Sequence, residues 1–114
     1  MEPEQRWIQE KHFIEDVGLL LEQSSVPRMA GRIIGLLMIC NPPYQSPSEL
    51  AEKLRASKGS ISTMTRLLME MDLIERIALP DDRRDYFQIK RDAWSQIIMF
   101  EASEFVIGRK LAER

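Results

Sequence analysis

The chain has 114 residues, 44% of them apolar, with five glycines and six prolines, which suits one small packed domain and excludes a low-complexity or disordered polymer. One cysteine, Cys40, excludes a disulfide framework within the chain, and the longest apolar run, Ile33 to Cys40, is far too short to span a bilayer. The formal charge of −2 is unevenly spread: residues 53–91 carry nine basic and six acidic side chains, whereas residues 1–27 carry two basic and six acidic. The acidic N-terminus has no secretory pattern, so the expected compartment is the cytoplasm, with no membrane partner.

Pro3 can open a first helix running to about Gln23, so that residues 4–24 form an N-terminal helical unit. Its Phe13, Val17, Leu20 and Leu21 follow helical spacing, and Trp7 and Ile8 extend the apolar surface at its start. Pro27 can open a second helix from Arg28 to Cys40 that is apolar nearly all round and belongs in the centre of a core. Gly31 and Gly35, four residues apart, would admit a neighbouring helix at close range, and Asn41-Pro42-Pro43 ends the element.

Ser46, Pro47 and Glu49 have the spacing of an N-cap, a first-turn proline and a capping box, so a short helix follows with Leu50, Ala51 and Leu54 inward. After a turn at Arg55-Ala56, Ser57 can cap another helix. Ile61, Met64, Leu68 and Met71 make its apolar stripe, and Lys58, Ser60, Ser62, Thr63 and Arg66 make its polar one. Ile74 to Leu79 and Tyr86 to Lys90 read as two strands around the turn Pro80-Asp81-Asp82-Arg83-Arg84-Asp85.

Two short helices followed by a hairpin describe a winged helix-turn-helix, an element that places its second helix in the major groove of DNA. Hydroxyl side chains and Gly59 allow close approach to base edges, and Arg66 can reach a phosphate or pair with guanine. Arg83 and Arg84 would lie along the backbone or in the minor groove, with Asp81, Asp82 and Asp85 holding or screening them. A Ser/Thr-rich helix face is by itself an ordinary solvated surface; its place directly before a hairpin tipped with arginines makes double-stranded DNA the expected partner. The alternative is a winged helix that meets another protein and reads no sequence.

Asp92 can cap a last helix from Ala93 to about Ala112, with Trp94, Ile97, Ile98, Phe105 and Leu111 offering more apolar surface than one small body needs. The expectation is one domain over residues 1–114, mainly α with a small β-hairpin wing. Residues 28–90 are its DNA-binding core, and 92–114 begin a dimerisation helix that would continue in the natural protein. The first and last helices would form a homodimer interface through Trp7, Ile8, Phe13, Trp94, Ile97, Ile98, Phe105 and Leu111.

No catalytic, metal or cofactor constellation is legible. His12 is the only histidine and reads as a surface or interface group; Cys40 reads as a small core residue rather than a redox sensor, and one of each cannot make a usual metal site.

The segments Val26 to Leu37, Ser57 to Ser62 and Arg83 to Phe87 resemble the MarR-like winged-helix regulators, and more closely their GbsR-type branch, over residues 10 to 95 or so. The resemblance implies a prokaryotic, homodimeric transcription factor, usually a repressor on a pseudo-palindromic operator, that sits with the nucleoid when bound. It implies groove-facing roles for Ser57, Lys58, Ser60, Ser62, Thr63 and Arg66, a wing role for Arg83 and Arg84, and room for a small-molecule effector of unknown identity. One departure is Asp72, where such proteins commonly carry glycine, in a left-handed position that aspartate tolerates.

Overall fold

Two helices, each carrying glycines toward the other, make the first layer. The computed structural model describes residues 2–95, and its first element, α1 (Pro3–Glu22), packs along α2 (Arg28–Ile39). A β-carbon added at Gly31 would stand 2.8 Å from the Gly18 α-carbon, and one at Gly35 would stand 3.1 Å from the α-carbon of Ile14. The close approach expected of Gly31 and Gly35 is therefore present, and Gly18 supplies the other half of it. The buried stripe of α1 is Ile14, Val17 and Gly18. Phe13, expected on that stripe, lies one position away and is half-buried, as is Leu20, because a step of one residue turns a helical side chain by about 100°. Between the two helices, Arg32 is hydrogen-bonded and ion-paired to Glu15.

α2 is the centre of the core, as its sequence requires. Ala30, Ile33, Ile34, Leu36 and Leu37 are buried, and α2 touches α1 on one side and α3, α4 and the hairpin on the other. α3 (Pro47–Leu54) begins with the full capping box: the Glu49 N–H donates to Ser46 Oγ at 3.2 Å, and the Ser46 N–H donates to Glu49 Oε1 at 3.0 Å. Arg55, at φ 51°, makes the left-handed turn into α4 (Lys58–Glu70), where the Ser60 N–H donates to the Ser57 cap at 3.0 Å.

The inner face of α4 is Ile61, Thr65 and Leu68, with Met64 half-buried beside them. Met71, expected on this stripe, is 41% exposed. It lies beyond the last helical turn, where Asp72 takes a φ of 60° and turns the chain away. Thr65 fills the face because its hydroxyl is satisfied locally, donating to the Ile61 carbonyl at 2.8 Å.

β1 (Ile74–Ala78) and β2 (Asp85–Ile89) form an antiparallel hairpin in which Ile74 faces Ile89 and Arg76 faces Phe87. Gln45, just before α3, pairs with Phe87 through both backbone groups, at 3.0 and 2.8 Å. A helix opens at residue 93, directly after Asp92, with Ala93 buried and Trp94 packed against the core. Ile97, Ile98, Phe105 and Leu111 lie outside the described residues. Among the described residues no helix is long and apolar enough to cross a membrane.

Candidate nucleic-acid interface

With Ile61, Thr65 and Leu68 held inside, the helical period of α4 turns Lys58, Gly59, Ser62, Thr63 and Arg66 outward, all exposed, and leaves Ser60 half-exposed. Ser57 is exposed at the cap. A β-carbon at Gly59 would meet nothing within 4 Å, so no packing inside the chain calls for glycine there. Open space in front of that backbone suits an approaching surface.

The outward residues divide into two rows. Lys58, Ser62 and Arg66, spaced four apart, line a cleft of about 290 Å³ between α4, the first turn of α3 and the hairpin. Its remaining walls include Pro47 and Ser48 from α3, and Arg76, Asp85 and Phe87 from the hairpin. Gly59, Ser60 and Thr63 are not part of that cleft lining. Sequence spacing put these residues on one polar face; the hairpin position that splits it depends on the fold.

The two arginines of the turn differ in the same way. Arg84 is fully engaged with Asp82: its Nε and Nη2 donate to the two carboxylate oxygens at 3.2 and 3.1 Å, and its backbone N–H donates at 2.9 Å. The Tyr86 hydroxyl donates to Asp82 Oδ2 at 2.6 Å, and the Arg84 guanidinium lies 5.2 Å from the Tyr86 ring centre. These bonds hold the Asp82 carboxyl well below the usual carboxylate range, and hydrogen bonding to that carboxylate pushes both Arg84 and Tyr86 up. Arg83 is exposed and has no ion pair among the described residues. One arginine braces the turn and the other is available. Asp82 was expected only to hold or screen the pair; its bond to Tyr86 is an additional tie.

A second cleft, of about 490 Å³, opens where α1, α2 and the end of α3 meet, lined by Trp7, Lys11, Ile14, Glu15, Arg32, Lys53, Leu54 and Arg55. Lys11 Nζ sits 5.4 Å from the Trp7 ring centre. Of the residues expected in a dimer interface, Ile8 is 54% exposed, while Trp7, Phe13 and Trp94 are half-buried within the chain itself. Cys40 is half-buried, its Sγ donating to the Leu37 carbonyl at 3.7 Å, and burial pushes its thiol up, away from the low values of reactive cysteines.

Hairpin, helix pair and cation-lined cleft together define a winged helix-turn-helix protein, mostly helical with a two-stranded wing. The model of the MarR family matches residues 34–86. The chain is 45% identical over 83 residues to the HTH-type transcriptional regulator MmpR5 of Mycobacterium tuberculosis, covering 73% of this chain and 50% of that protein. It is 24% identical over 96 residues to the HTH-type transcriptional repressor OpcR of Bacillus subtilis, covering 84% and 51%. A crystal structure of a transcriptional regulator superposes with a TM-score of 0.72 at 37% identity, covering 92% of this chain and 71% of the other. A Staphylococcus aureus MepR variant bound to an oligodeoxyribonucleotide shares the fold, with a TM-score of 0.69 at 17% identity over 100% and 84% of the two chains. The chain belongs to the MarR family of winged-helix regulators, a family of transcription factors and not of enzymes. It spans about half the length of the curated regulators it matches.

Proposed function

We propose that this chain is the DNA-binding part of a homodimeric transcriptional repressor, with α4 as the recognition helix and Arg83 at the wing tip. The observation that carries the reading is the division of α4: Ile61, Thr65 and Leu68 anchor it, while Lys58, Ser62, Thr63 and Arg66 all face solvent, three of them (Lys58, Ser62 and Arg66) beside the hairpin. Short hydroxyls, one uncovered glycine and two cations are what a helix needs to sit close in a major groove. A MepR variant of the same fold is bound to an oligodeoxyribonucleotide, which supports DNA as the partner. The Val26 to Leu37 segment supports placing the chain in the GbsR-type branch.

A dimer would double the groove contacts on a pseudo-palindromic site. Exposed Ile8 and the apolar pattern of 94–111 support an interface formed by the first and last helices. An effector, where there is one, would occupy the cleft around Trp7 and Arg32, between the α1–α2 pair and the reading head. Such a regulator works in the cytoplasm at the nucleoid.

The test is binding to duplexes selected from a randomised pool, followed across a salt series. Phosphate contacts require log affinity to fall steeply and linearly with log salt. Affinity that is flat with salt and indifferent to sequence would favour the protein-interaction reading. A reporter placed behind the selected site should fall on expression; a rise would make the protein an activator. Sedimentation of the chain and of Ile8→Glu tests the dimer: a species that ignores the substitution would place the interface elsewhere.

A further inference from the structure

Arg76 lies on β1, outside both the recognition helix and the wing tip, yet its side chain lines the same cleft as Lys58 and Arg66. Its guanidinium carbon stands 5.8 Å from the centre of the Phe87 ring, its cross-strand partner, which fixes the direction of the stem. Its nearest carboxylate is Asp85, at 3.8 Å from Nε, with both side chains more than half exposed. That contact is too long to be a hydrogen bond and leaves the guanidinium fork unoccupied. The contrast with Arg84, whose fork is filled by Asp82, is direct.

The cleft therefore brings three cations, Lys58, Arg66 and Arg76, against one carboxylate, with the hydroxyls of Ser48 and Ser62 on its walls. Among the described residues Lys58 and Arg66 make no ion pair. A singly charged group with several acceptor oxygens, small enough for the cleft, satisfies this arrangement, and a phosphodiester is such a group. We propose that Arg76 is a further DNA-contacting residue, which with Lys58 and Arg66 seats one backbone phosphate between α4 and the hairpin.

This inference rests on the DNA-binding reading and changes one part of it. Arg66 becomes a backbone contact, and sequence readout passes to the neighbouring row of Gly59, Ser60 and Thr63. The phosphate would also fix the depth of α4 in the groove, because its ligands come from both the helix and the hairpin.

The experiment uses the full chain and a short mixed-sequence duplex, with anisotropy measured across a salt series and thermal melting measured in parallel. Arg76→Met keeps an apolar stem on Phe87 and removes the charge. It should weaken binding about tenfold at low salt, the scale of one charged hydrogen bond, and reduce the salt slope by about 0.9. The melting midpoint should not move. Arg76→Lys should keep most of the slope. Adding Arg76→Met to Arg66→Ala should cost much less than tenfold, because the two share a phosphate.

Unchanged affinity and slope in Arg76→Met, with the unmutated chain binding normally, overturns this inference and leaves the DNA reading standing. No binding by the unmutated chain overturns both. Inorganic phosphate at constant ionic strength should not displace the duplex. Displacement that disappears in Arg76→Met would make this a free-anion site and overturn the backbone assignment.

Discussion

Gly18 and Gly31 face each other across the α1–α2 contact so closely that a β-carbon on Gly31 would stand 2.8 Å from the Gly18 α-carbon. No flexible side chain lies at that point to give way. Gly31→Ala should therefore destabilise the chain by roughly 1–3 kcal/mol, the usual cost of overpacking, reduced by alanine's better helix propensity. Gly59→Ala, where a β-carbon meets nothing, should stabilise it by a few tenths of a kcal/mol or more. Thermal melting of both variants checks the pair. Equal signs would mean that the helices are not held at this distance.

The inner and outer faces of α4 should separate in the same assay. Ile61→Ala removes a side chain that is 1% exposed and should cost about 2–4 kcal/mol. Met71→Ala, at a residue 41% exposed beyond the helix end, should change stability by less than about 1 kcal/mol. Arg66→Ala should leave the midpoint in place while weakening DNA binding. A large loss of stability in Arg66→Ala would mean that this face is packed.

Acid should loosen the start of α3. The Glu49 carboxyl is held below its ordinary value mainly because it accepts the Ser46 N–H. A depressed folded value stabilises the chain above the ordinary glutamate range, about 4.3, and that contribution is lost as pH falls through the lower folded value. Glu49→Gln should flatten the acid limb of a stability–pH curve. Ser46→Ala should cost about 1 kcal/mol at neutral pH by removing the cap. An acid limb in Glu49→Gln identical to that of the unmutated chain would assign the loss to other carboxylates.

Tyr86 reports on the wing turn from the alkaline side. Its hydroxyl donates to the Asp82 carboxylate, which moves its ionisation to higher pH, so the contribution is complete below the ordinary tyrosine value and is lost as pH rises through the folded one. Asp82→Asn should move the phenolate absorbance of Tyr86 to lower pH and free Arg84 from its brace. An unmoved titration would show that the Asp82 bond does not persist in solution.

The features legible in the sequence were the local ones. Ser46 and Glu49 announce a capping box three residues apart, and Gly31 and Gly35 announce a close helix contact on one face, because both are written within a single turn or two. What could not be read depended on partners distant in the chain. Phe13 and Ile14 are equally apolar neighbours, and only the position of α2 decides which is inward. Thr65 looks polar until its hydroxyl finds the Ile61 carbonyl, and Met71 continues a stripe whose helix has ended. Arg76 is one of nine basic residues between 53 and 91, and only the hairpin carries it to the side of Arg66.

The two backbone bonds between Gln45 and Phe87 have a mechanical consequence. They tie the entry of α3 to the middle of the second strand, so the base of the wing and the first turn of that helix are held as one piece. In the proposed dimer the reading head would then tilt as a plate, and a signal arriving from α1 or α2 would change its angle and its distance from the partner's head rather than its internal shape.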